Sequence, residues 1–127
     1  MKVPPITESE WTVMEALWKR SPQTASQVAK VLRRSTGWAQ NTVRTLLTRL
    51  LDKRALHAEL NASGVRQFTP AVERAACVHA ESESFLQRVF QGAASPLLVH
   101  FATNARLSPE EVRELKRLFD QSLRNEP

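Results

Sequence analysis

The chain has 127 residues, 42% of them hydrophobic, with one cysteine, which allows one domain or a small domain with an appendage and excludes an intramolecular disulfide or a multi-cysteine metal cage. No apolar run approaches the roughly 18 residues of a membrane span, and Met1 to Ile6 lacks signal-peptide character, so the expectation is a soluble cytosolic protein with no membrane insertion. Net charge is +5 but uneven: residues 1–70 hold eleven basic and five acidic residues, residues 71–127 seven and eight, which fits a polyanion-binding module joined to a part with a second job, or else a basic solvated surface.

Glycine is scarce and the pattern is mostly helical. Thr7 and Glu10 have capping-box spacing, and Trp11, Met14, Leu17 and Trp18 follow on one face, so a first helix starts at Thr7 and ends at Ser21-Pro22. A second starts at Thr24, with Gln27 three residues on, carries Val28, Val31 and Leu32 inward, and breaks at Ser35-Thr36-Gly37. A third should begin near Ala39 or Gln40 and run to about Arg54, burying Val43, Leu46, Leu47, Leu50 and Leu51. At about 100° per residue its opposite side carries Asn41, Thr45, Thr48 and Asp52, flanked by Thr42, Arg44 and Arg49. A merely structural surface helix favours Glu, Lys and Ala there. Thr methyls, Asn amides and Arg forks instead suit base edges in a major groove.

Ala55–Leu60 and Val65–Pro70 flank the turn Asn61-Ala62-Ser63-Gly64 and read as a β-hairpin. Leu56, Ala58 and Leu60 alternate, Phe68 packs inward, and Arg66 lies on the same face nearer the tip. Three helices followed by a hairpin make the winged variant of the helix-turn-helix. A long helix is expected from about Pro70 to Gly92, with Val72, Ala75, Ala76, His79, Ser82, Phe85, Leu86, Val89 and Phe90 along one side. A short helix near Pro96–Asn104 carries Leu97, Leu98 and Phe101, and Ser108-Pro109-Glu110-Glu111 starts a last helix with Val112, Leu115, Leu118 or Phe119, and Leu123. About 57 residues of helix cannot bury all these apolar side chains alone, so either a second copy covers them or they fold back on the first domain. The expected fold is mainly α with a small β-hairpin: an N-terminal winged helix-turn-helix DNA-binding domain, residues 1–70, and a C-terminal three-helix dimerisation domain, residues 71–127.

The segment Asn41-Thr42-Val43-Arg44-Thr45-Leu46-Leu47-Thr48-Arg49-Leu50 resembles the recognition helix of the penicillinase-repressor family of winged-helix transcriptional regulators (BlaI, MecI and CopY type). Glu10 to Trp18 is similar to that family's first helix, Ser95 to Phe101 to its S-L-V-L-N-F segment, and Leu107 to Leu118 to its ending. The resemblance implies a homodimeric repressor that binds double-stranded DNA at inverted repeats of the TACA/TGTA type before resistance or stress genes. In the antibiotic-responsive members a membrane sensor metalloprotease relieves repression by cutting between Asn and Phe, a bond that corresponds here to His100–Phe101. The copper-responsive members carry C-terminal Cys-x-Cys pairs, and residues 107–127 contain no cysteine, so no metal or other cofactor is expected.

In that setting Arg44 and Arg49 contact guanine edges or phosphates, Thr45 and Thr48 thymine methyls or bases, Asn41 a phosphate or adenine edge, and Thr42 a phosphate. Lys53, Arg54 and Arg66, with Lys30, Arg33 and Arg34, supply backbone neutralisation, although each alone is equally a solvated surface charge. Phe85, Leu86, Val89, Phe90, Leu97, Leu98, Phe101, Leu115, Leu118 and Phe119 are the dimerisation candidates. The tryptophans read as core or interface aromatics, with Trp38 also placed to touch DNA, and His57 as solvent-facing. Cys77 and His79 point about 200° apart, which suits packing and not shared chelation. No nucleophile lies beside a plausible base and no Gly-rich phosphate loop or H-E-x-x-H occurs, so no enzyme is expected. A winged-helix protein-interaction adaptor remains the alternative, and it should carry an apolar patch where the Thr/Arg face lies.

Overall fold

The computed structural model describes residues 3–104 and 106–125. The chain divides into two compact units, Met1–Ser82 and Glu83–Pro127. The elements run α1 (Glu8–Lys19), β1 (Gln23–Thr24), α2 (Ala25–Thr36), α3 (Gln40–Asp52), β2 (Leu56–Leu60), β3 (Arg66–Pro70), α4 (Arg74–Phe90), α5 (Ser95–Thr103) and α6 (Pro109–Asn125).

Both early helices start as their capping boxes require. Thr7 Oγ1 accepts from the Glu10 N–H at 3.2 Å while the Thr7 N–H donates to Glu10 Oε1 at 2.9 Å. Thr24 and Gln27 repeat the exchange at 3.2 and 2.8 Å. Each box satisfies two N–H groups that a helix start leaves without partners. Thr7→Ala should therefore destabilise the N-terminal unit by about 1 kcal/mol in urea unfolding, and an unchanged midpoint would show that the box contributes nothing. Gly37 ends α2 in the left-handed region, φ 70°, with its N–H donating to Arg33 O.

The core of the first unit is the meeting of α1, α2 and α3 under the sheet. Val13, Met14 and Leu17 from α1, Val28 and Leu32 from α2, and Val43, Leu46, Leu47 and Leu50 from α3 are buried with Leu56 and Phe68 from the hairpin. Leu51 and Trp38 pack against this cluster half-buried. Val31, expected inward, is 57% exposed, because Val28 and Leu32 already fill the one stripe of α2 that meets the core.

The sheet has three antiparallel strands in the order β1-β3-β2. The hairpin pairs Ala58 with Phe68 and Leu60 with Arg66. Asn61 fastens its turn, Oδ1 accepting from the Ser63 and Val65 N–H groups at 2.9 and 3.0 Å. Two residues, Gln23 and Thr24, add the third strand against Phe68 and Gln67, an element too short to announce itself by alternation. Gln23 is buried and its side-chain amide donates to Ala16 O and Arg20 O, tying the end of α1 to the sheet.

The long fourth helix begins at Arg74 and not at Pro70, because pairing continues through the end of the hairpin: Leu56 faces Pro70, and the Ala71 N–H donates to Ala55 O. The compact first unit also extends past residue 70. Trp18 Nε1 donates to Val72 O at 3.0 Å, Arg74 pairs with Glu15 at 2.6 Å, and Cys77 is buried. Burial pushes the Cys77 thiol up, so it packs as an apolar group and stays protonated.

The second unit shows the reverse economy of surface. It comprises the end of α4, then α5 and α6, the last begun by a reciprocal Ser108–Glu111 capping box. None of its described residues is buried. Phe85 and Phe90 meet edge to face at 6.0 Å between centroids, yet Val89, Val99, Val112, Leu118, Phe119 and Leu123 stand largely open. No described helix is long and apolar enough to cross a membrane.

Candidate nucleic-acid interface

The third helix sorts its residues by side. Val43, Leu46, Leu47 and Leu50 are buried, whereas Asn41, Thr42, Arg44, Thr45, Thr48, Arg49 and Asp52 are all exposed. The apolar stripe fixes the rotation of the helix about its axis, and that rotation presents the polar face to solvent. Thr45 Oγ1 donates to Asn41 O at 3.0 Å and Thr48 Oγ1 to Arg44 O at 2.9 Å. Each hydroxyl proton is therefore used within the helix, leaving oxygen lone pairs and a methyl for an outside partner.

Arg44, Arg49 and Arg66 take part in none of the ion pairs among the described residues. The Arg66 guanidinium lies 5.6 Å from the centre of the Phe68 ring, so the face of the hairpin that supplies Phe68 to the core continues outward as a cation. Arg44, Thr48, Val65 and Arg66 line one open cleft of about 290 Å³ together with Leu47 and Phe68. The polar α3 face and the β2–β3 hairpin thus address the same space.

One expected contact is placed differently. Lys53 caps the end of α3, but its Nζ donates to Glu10 Oε1 at 2.5 Å and to Pro5 O at 2.9 Å, so its charge is engaged within the protein and is not free for phosphate. Glu10 itself is 1% exposed. Burial pushes its carboxyl up, but hydrogen bonds from Lys53 and Thr7 and the charge of Lys53 outweigh that and hold it below its ordinary value. Arg54 lies beyond the helix, exposed, at φ 64°. The Glu10 position had a sequence signal: it precedes Val13, Met14 and Leu17 by three, four and seven residues, which places a carboxylate on the buried stripe and demands a cation. Gln40 and Ser26, at the cleft edge, had no such signal, because polar residues at helix starts are common.

Elsewhere, Trp11 and Trp18 meet edge to face at 5.5 Å, and His57 is exposed. His100 and Phe101 lie inside α5, within the short helix expected near Pro96–Asn104. Among the described residues no group of three His, Cys, Asp or Glu is arranged to hold a metal ion.

A sequence profile for the family described as Penicillinase repressor matches residues 6–121. The chain belongs to the penicillinase repressor family. The Penicillinase repressor of Bacillus licheniformis is 32% identical over 120 residues, which cover 94% of this chain and 93% of that protein. The Methicillin resistance regulatory protein MecI of Staphylococcus aureus (strain N315) is 26% identical over 116 residues, covering 91% and 94%. Among solved structures, the Bacillus licheniformis BlaI monomeric form in complex with the blaP half-operator superposes with a TM-score of 0.52 at 32% identity, over 59% of this chain and 90% of that one. MepR, a transcription regulator of a Staphylococcus aureus multidrug efflux pump, matches with a TM-score of 0.51 at 18% identity, over 93% of this chain and 78% of that one, a likeness of fold. Membership of the penicillinase repressor family accords with the winged helix built by α1 to α3 and the β2–β3 hairpin, and with a mainly helical chain.

Proposed function

We propose that the protein is a cytoplasmic, homodimeric transcriptional repressor that occupies an inverted-repeat operator on double-stranded DNA before resistance or stress genes and acts by occupancy, without catalysis. The observation that carries this reading is the α3 face from Asn41 to Arg49, polar, basic and wholly exposed on a helix whose other side is core. The half-operator complex of the related BlaI supports it. In this reading α3 enters the major groove, with Arg44 and Arg49 on guanine edges or phosphates, Thr45 and Thr48 on bases, and Asn41 and Thr42 toward the backbone. Arg66 on the wing and Arg54 beyond α3 neutralise phosphates. DNA reading belongs to the first unit and pairing to the helical residues of the second, Glu83–Pro127. A membrane sensor metalloprotease that cuts His100–Phe101 would then take the later pairing helices from a chain without altering its reading head.

Selection of sites from random DNA should return an inverted repeat, and binding should weaken steeply as salt rises. On the selected site Arg49→Ala should cost roughly 1–3 kcal/mol by fluorescence anisotropy while sedimentation stays that of the wild type. Full affinity in that variant, or selection that enriches no repeat, would remove α3 from the role assigned to it.

A further inference from the structure

We propose that the cleft between the α2 start, α3 and the wing binds an amphipathic organic anion, a flat apolar body carrying one carboxylate, and that this ligand and DNA exclude each other. The inference rests on the reading of α3 as the DNA-contacting face, because Arg44 and Thr48 belong to both. The cleft joins two features that a phosphate contact alone does not require together. Its lining includes two arginines, Arg44 and Arg66, and no acidic residue. It also has apolar lining from Leu47, Phe68, Ala25 and Val65, the last 49% exposed, beside the polar Thr24, Ser26 and Gln40. A phosphate or other small inorganic anion is satisfied by the arginines and gains nothing from the apolar lining. A planar carboxylate matches the guanidinium fork with two parallel hydrogen bonds, while an attached ring system covers the apolar lining.

Size and position are consistent with such an occupant. A volume of about 290 Å³ lies at the small end of ligand sites, enough for one or two fused rings. Arg66 is already held against the Phe68 ring, which limits the freedom it loses on binding. The hairpin turn is fixed by two hydrogen bonds to Asn61 Oδ1, so the wing wall is preformed. Because the ligand would cover Arg44 and Thr48, its binding lowers DNA affinity, and DNA lowers ligand affinity by the same factor. Release from DNA would then have a route that needs no cut in α5.

The test uses the full chain, ¹⁵N-labelled, titrated with 2-naphthoate, with neutral 2-naphthalenemethanol and with inorganic phosphate. Saturable shifts at Arg44, Thr48, Val65 and Phe68 are expected with 2-naphthoate, with a Kd of about 1 mM, and at least tenfold weaker with either control. Arg66→Gln, an exposed wing substitution, should weaken the naphthoate at least fivefold, and Arg113→Gln on α6 should not. Shifts confined to residues 85–123, equal binding of the neutral alcohol or of phosphate, or an unchanged Kd in Arg66→Gln would each overturn the site. Competition with the selected operator separates this inference from the one beneath it. Displacement of DNA over the same concentration range supports both. Naphthoate bound at these residues while DNA stays bound would overturn the exclusion and the placement of DNA on Arg44 and Thr48, and would leave the anion site standing.

Discussion

Lys53→Met should destabilise the N-terminal unit by about 3 kcal/mol. Glu10 is 1% exposed, and Lys53 supplies both its cation and the bond to Pro5 O that closes the segment ahead of α1. Without the ammonium, Glu10 keeps only Thr7 as a hydrogen-bond partner among the described residues and must stay charged in the core or take up a proton. The figure sits at the lower end for a broken buried pair, because Lys53 itself is 29% exposed and water reaches that side. The double variant Glu10→Met/Lys53→Met should recover most of the loss, since it leaves no uncompensated charge. Urea unfolding of the two singles and the double closes the cycle, and a near-zero coupling would mean that the pair is held by its surroundings. A pH dependence follows. The Glu10 carboxyl is held below its ordinary value of 4.5, so its contribution is complete above that value and disappears as pH falls below it. The wild type should lose stability in that acid range, and the double variant should lose less.

The second large effect concerns pairing of copies. Leu118→Asp/Phe119→Asp should leave the protein folded, because both positions are already 46% and 52% exposed, and on the proposed homodimer it should leave a monomer in sedimentation. Operator affinity should then fall by roughly 10²–10⁴, the range that effective concentration contributes when two heads act as one. Contact of each head with its half-site should survive. A variant that still sediments as a dimer would place the pairing surface elsewhere, on α4 or α5. An unchanged operator affinity in a proven monomer would mean that one head suffices.

Much of this was legible in the residues. The capping boxes at Thr7 and Thr24 set the starts of α1 and α2 because they are local chemistry: a side-chain oxygen and an N–H three residues away need no tertiary context. The α3 stripe was equally legible, since five apolar residues at helical spacing leave one way to face a core. Three features were not. Val31 continues the apolar pattern of α2, but exposure there depends on how much of the helix its neighbours cover. Strand β1 exists only because β3 offers an edge to residues that would otherwise be loop. Lys53 looks like any cation at the end of a recognition helix until the buried carboxylate 43 positions earlier claims it. In each case the deciding partner is distant in sequence, which a local pattern does not report.

The placement of His100 and Phe101 within α5 bears on timing. If the proposed cut is made there by a protease that takes its substrate extended, a turn of α5 would have to unwind before the bond between them is reached. Ala94 gives that helix no side-chain cap, and nine residues are too few to hold a helix in isolation. Pairing with a second copy would supply the missing support. Cutting would therefore fall first on unpaired chains, and the paired, operator-seated population would drain only as fast as it comes apart. The lag before gene expression would be set by a dissociation rate belonging to the repressor itself, and adding more protease would shorten it only up to that limit.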